Sequence, residues 1–94
     1  MVKYILVLFF IVPAILFSKN AHLEKGIDFC KKGKVDSALY HLNIIGDEVT
    51  IETSLKDIYN KNYYTAKCYD HLEANKSAEY YYLKAYLLYT SDAA

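Results

Sequence analysis

Ala66–Leu88, AKCYDHLEANKSAEYYYLKAYLL, is the stretch whose reading decides the fold. Forty residues earlier the chain carries the same pattern at Gly26–Ile45, GIDFCKKGKVDSALYHLNII. Gly26 recurs as Ala66, Phe29 as Tyr69, Ala38 as Ala78, Leu42 as Tyr82 and Ile45 as Ala85. Small residues at Gly26/Ala66 and Ala38/Ala78 let two helix axes approach closely. Phe29/Tyr69 and Leu42/Tyr82 fill the space on either side. Two copies of a helical hairpin imply a repeat scaffold, an architecture that binds partners more often than it catalyses.

Working outward, helix A of the first copy is expected from about Lys19 to Lys32, and helix B from about Asp36 to near Val49. Gly33 falls between them, where a left-handed residue ends a helix at little steric cost. Ser54 followed by Asp57 reads as a helix start, a weaker relative of the capping box. Leu55, Ile58, Tyr59, Ala66, Tyr69 and Leu72 then recur near helical spacing, giving a helix from about Leu55 to Glu73. In the second copy Glu73 stands in place of the turn glycine, and Asn75 is the expected turn residue. The last helix starts at Asn75 or Ser77 and runs towards Leu88. No period-two run outside the N-terminal segment signals a strand, so the chain is expected to be all-α.

The repeated pattern resembles the tetratricopeptide repeat, in its longer-period form of about forty residues instead of the commoner thirty-four or so. The residues that carry the resemblance are Gly26, Phe29, Gly33, Ala38, Leu39, Leu42 and Ile45, then Ala66, Tyr69, Leu72, Ala78, Tyr82 and Ala85. The chain departs from the family at the aromatic that follows the turn, which is Val35 and Asn75 here, and it lacks the terminal proline. An unrelated four-helix bundle is the competing reading. The resemblance implies two antiparallel helical hairpins stacked as the start of an α-solenoid, with residues 19–53 as hairpin 1 and linker and 54–88 as hairpin 2. It also implies that the A helices line a peptide groove. By register the candidate groove residues are Leu23, Ile27, Cys30 and Lys31, then Tyr63, Lys67, Asp70 and His71. They lack the Lys and Asn arrangement with which some chaperone-binding members clamp a C-terminal carboxylate.

Composition narrows the function further. The chain has eleven cationic and eleven acidic residues, and every cation is lysine. Arginine supplies the bidentate forks for phosphates and base edges, so its absence argues against nucleic-acid recognition. Lys31, Lys32 and Lys34 cluster around the first turn, where solvation and the C-terminal end of helix A account for them. Eleven tyrosines are abundant for this length. Tyrosine fills interhelical space while its hydroxyl reaches water. Packing is the expected role for Tyr69 and Tyr82, and a groove lining for Tyr63 and Tyr64.

No catalytic motif is present. His22, His41 and His71 are scattered, and there is no HExxH, glycine-rich phosphate loop, GxSxG or CxxC. His71 beside Asp70 is only a weak metal pair. No catalytic residue, cofactor or metal is therefore expected. Cys30 and Cys68 fall on the two A helices in nearly equivalent turns. They are either a disulfide, in a compartment that permits one, or two buried or half-buried thiols.

Both ends read differently from the middle. Residues 1–18 follow a signal-peptide plan, with Lys3 before an apolar run from Tyr4 to Phe17 that is short for a membrane span. An uncleaved anchor at residues 4–17 is the alternative. The expected fold is therefore a helical array preceded by a signal-peptide helix, exported to the periplasm or secreted, or else held at the inner membrane. Residues 87–94, LLYTSDAA, read as the in-frame translation of a sequencing-library adapter, which predicts a non-native tail on a longer natural protein. The expected function is an exported, non-enzymatic protein–protein interaction scaffold with a protein or peptide partner. The alternative is the periplasmic sensory segment of a membrane-bound histidine kinase or transcription regulator.

Overall fold

In the computed structural model, residues 19–93 are described, with side chains as far as residue 88. The signal-peptide and anchor readings of residues 1–18 lie outside them. Four helices follow in order: α1 (Lys19–Lys31), α2 (Val35–Ile44), α3 (Leu55–His71) and α4 (Asn75–Ala93). They pack pairwise, α1 on α2 and α3 on α4, and α3 also lies against α1 and α2. No strand occurs among the described residues.

The two intrahairpin turns are built alike. Gly33 has φ 77°. Its N–H donates to Cys30 O at 3.0 Å, and the next N–H, of Lys34, reaches back to Phe29 O at 2.9 Å. Forty residues on, Glu73 has φ 59°. Its N–H donates to Asp70 O at 2.9 Å, and Ala74 N–H reaches Tyr69 O at 2.9 Å. Each pair of bonds satisfies helix-end carbonyls that would otherwise lack a donor. The residue after each turn starts the next helix, with Ala38 N–H on Lys34 O and Ala78 N–H on Ala74 O, both at 3.0 Å. Glu73, not Asn75, is thus the left-handed residue, and Asn75 is already the first residue of α4.

Close approach in the first hairpin depends on Gly26. A methyl group there would lie 2.6 Å from Leu42 Cδ2 and 3.3 Å from the Leu42 backbone nitrogen. Leu42 and Ala38 are fully buried at this crossing. They join Leu23, Cys30, Ile45 and Cys68 in one core, with Ile27, Phe29, Val35, Leu39 and Tyr64 packed around it. Fully burying a leucine contributes about 1.5–3 kcal/mol. In the second hairpin Ala66, Ala78 and Ala85 are the buried small residues.

The link between hairpins departs from the expected long helix B. α2 stops at Ile44, because Ile45 turns extended (ψ 120°) and goes into the core, and Gly46 follows. Val49 and Ile51 are exposed and anchor nothing. Thr50 Oγ1 instead accepts from the N–H groups of Glu52 and Thr53, forming a tight turn. α3 then opens on a complete capping box. Ser54 Oγ accepts from Asp57 N–H at 3.2 Å, and Asp57 Oδ2 accepts from Ser54 N–H at 3.0 Å.

α3 buries polar residues along with apolar ones. Lys61, Asn62 and Thr65 are buried beside Ile58, Ala66 and Cys68. Thr65 Oγ1 donates to Lys61 O at 2.7 Å and Asn62 Nδ2 to Ile58 O at 3.0 Å, so the helix's own carbonyls satisfy these donors. Lys61 Nζ reaches Asp47 Oδ1 at 2.9 Å, while Lys84 Nζ of α4 holds Asp47 Oδ2 at 3.0 Å. One carboxylate of the interhairpin link thereby ties down both helices of the second hairpin.

Candidate functional site

The groove stripe expected from register divides in the structure. α3 packs over the face of α1 that carries Leu23 and Cys30, and both are buried. They are core residues and have no surface to offer a ligand. Ile27 is half-buried against the same core. Lys31 is exposed at the end of α1. His71 lies with Leu72 beside Gly33–Ser37, in a cleft between the two turns, away from the tyrosines.

Tyr63, Lys67 and Asp70 are brought together on one stripe of α3. The helical offset of four and then three residues places them on the same side. Tyr63 is the centre of the group. Its ring lies parallel to that of Tyr59, with centroids 6.1 Å apart, and edge-on to Tyr64 at 5.2 Å. The Tyr82 ring, from α4, meets it at 5.8 Å. Lys67 Nζ sits 5.3 Å from the Tyr63 ring centroid, within reach of a cation–π contact. Tyr82 Oη donates to Asp70 Oδ2 at 2.7 Å, which fixes the ring across the helix pair.

Tyr59, Tyr63, Tyr82, Ala85 and Tyr86 line an open groove between α3 and α4. Ala85 leaves the floor low, and four tyrosine rings form the walls. Such a surface offers flat apolar faces with hydroxyls at their rims, suited to an extended peptide in which side chains lie on rings and backbone groups meet hydroxyls. Burial, then the hydrogen bond to Asp70, push the Tyr82 phenol above its ordinary value. Tyr82 therefore stays a donor across the physiological range. Tyr64 turns away into the first hairpin's core.

Tyr59 and Tyr86 belong to this groove and were not singled out as groove residues in the sequence. Their signal is a tyrosine four residues from another, Tyr59 before Tyr63 and Tyr86 after Tyr82, which places each pair on one helix face.

Cys30 and Cys68 are both buried thiols. Cys30 Sγ points at Tyr64 O, 3.6 Å away on α3. Burial, with the neighbouring Cys30 thiol adding to it, pushes Cys68 up to about 12. A thiol held so far from ionisation is a poor nucleophile. No group of three or more His, Cys, Asp or Glu side chains that could hold a metal ion occurs among the described residues. No described helix is long and apolar enough to cross a membrane. The chain matches no protein-family model, no curated protein and no solved structure.

Proposed function

We propose that this protein is a non-enzymatic interaction scaffold of the tetratricopeptide kind, and that the Tyr59–Tyr63–Tyr82–Tyr86 groove is where it takes a peptide segment of a protein partner. One observation carries the reading. The same left-handed turn and buried small residues at matching positions recur forty residues apart, and the second copy presents an aromatic groove. Stacked hairpins bury their shared faces and leave helix stripes for ligands, the arrangement expected at the start of an α-solenoid. Its place is taken to be outside the inner membrane, on the strength of the signal-like residues 1–18.

The test is a peptide-display selection against the full chain, followed by affinity measurement with Tyr63→Ala. Ring stacking is worth roughly 1 kcal/mol beyond buried area, so loss of Tyr63 is expected to weaken a selected peptide about fivefold or more. Equal affinity for wild type and Tyr63→Ala, with the variant folded, would place the site elsewhere.

A further inference from the structure

His22 on α1 and His41 on α2 meet Nδ1 to Nδ1 at 3.0 Å. Two imidazole nitrogens at this distance bond only if one carries a proton and the other presents its lone pair. A neutral pair meets that condition, with either ring as donor. One added proton also meets it, because a protonated ring donates to a neutral one. A second added proton puts N–H on both facing nitrogens and a positive charge on both rings. The contact must then open.

The surroundings favour the lower proton count. The two rings stack with centroids 5.2 Å apart, and both histidines are half-buried. Phe29 stacks on His41 at 5.6 Å, and Tyr40 meets it edge-on at 5.1 Å. Burial, His22 and Lys25, in that order, hold His41 below its ordinary value. Among the described residues, Lys25 is the charged side chain outside the pair that acts on it. From α3, which packs on both helices, Tyr64 and Cys68 enter the core beneath this hairpin.

We propose that His22 and His41 form a proton-operated latch on the first hairpin, holding α1 against α2 with at most one added proton and releasing them with two. The pair bridges the helices near the Gly26–Leu42 crossing, where α1 also carries Leu23 and Cys30 into the core. Release would loosen the seat on which α3 rests. The sign follows from the depressed value of His41: the contribution is complete above the ordinary histidine range and is lost as pH falls below it.

The experiment is thermal unfolding of the full chain at about pH 7.5 and about pH 5, for wild type and His22→Asn. Asparagine keeps a hydrogen-bonding group near the Nδ1 position and cannot take the second proton. Wild type is expected to lose about 4 °C or more on acidification, and His22→Asn less than half of that. The same loss in both would overturn the proposal. Ring-nitrogen NMR of the unmodified chain is a second reading, independent of any variant. A proton shared between His22 Nδ1 and His41 Nδ1 is expected at about pH 7.5 and is expected to be gone at about pH 5. Absence of a shared proton at about pH 7.5 would also overturn it.

Discussion

Gly33 and Glu73 stand forty residues apart and hold the same left-handed backbone, with φ of 77° and 59°. Each closes its turn with the same pair of backbone hydrogen bonds. The two positions differ only in what the conformation costs. Glycine enters it freely, whereas a residue with a β-carbon is disfavoured by about 1–2 kcal/mol. Glu73→Gly is therefore expected to stabilise the chain by about 1 kcal/mol, and Gly33→Ala to destabilise it by a similar amount. Urea unfolding of the two variants checks both signs. A Glu73→Gly variant less stable than wild type would show that the Glu73 side chain contributes more than its backbone costs.

Gly26 sits where the first hairpin is tightest. Alanine would gain up to about 1 kcal/mol in helix propensity. Its methyl group, however, would press on Leu42 at 2.6 Å and on the Leu42 backbone, and Leu42 is fully buried with nowhere to move. Overpacking of this kind costs about 1–3 kcal/mol, so Gly26→Ala is expected to be net destabilising. Thermal unfolding should give a lower Tm. At Ala66, the matching position, the methyl group is already accommodated.

Asp47 is half-exposed, while the Lys61 side chain it holds is 9% exposed. Burial would raise the Asp47 carboxyl, but the hydrogen bonds from Lys61 and Lys84 overcome this and hold it down to about 2. Because that value is depressed, the bridge stabilises above the ordinary carboxylate range and is lost as pH falls through about 2. Removing one partner is predicted to do more harm than replacing the other. Asp47→Asn leaves the Lys61 ammonium buried without its counter-charge, at about 1–3 kcal/mol, while Lys61→Met removes the buried charge and is near neutral. Exposure of Asp47 puts the first figure below that of a fully buried pair. Equal losses in the two variants would show that the buried Lys61 ammonium does not depend on Asp47 for its counter-charge.

Tyr82 is tied to Asp70 and its phenol is raised, first by burial and then by that bond. A raised value means the folded state keeps its proton longer than the unfolded chain does. The contribution is complete below the ordinary tyrosine range and fades as pH rises through it. Tyr82→Phe is expected to flatten stability against pH above about pH 10 while costing less than about 1 kcal/mol near neutrality, since the bond is exposed. Unfolding curves at neutral and alkaline pH check both.

Much of the fold was legible because packing leaves a trace in residue size. Gly26, Ala38, Ala66 and Ala78, the small residues at which the repeated pattern expects close helix approach, are all buried, and so is Leu42. The turn of the second copy was misread because asparagine enters the left-handed region more readily than glutamate, yet the turn's backbone bonds hold Glu73 there. α2 ends at Ile44, short of the expected end near Val49, because Ile45 turns extended into the core while Val49 and Ile51 are exposed. Lys61, Asn62 and Thr65 left no hydropathy signal, since their burial depends on bonds to carbonyls four residues back and on Asp47. For the site, the register of the resemblance put Tyr63, Lys67 and Asp70 on one stripe of α3, and of these Tyr63 lines the groove. The burial of Leu23 and Cys30 was not legible, because nothing in one helix's sequence says that the next hairpin will cover it.

The most direct test of the scaffold reading is amide and tyrosine-ring chemical-shift mapping of the full chain with a display-selected peptide. The account predicts that shifts concentrate at Tyr59, Tyr63, Tyr82 and Tyr86, with Leu23 and Cys30 unmoved. Shifts centred instead on the cleft of Gly33–Ser37 and His71, with the tyrosine groove silent, would contradict it.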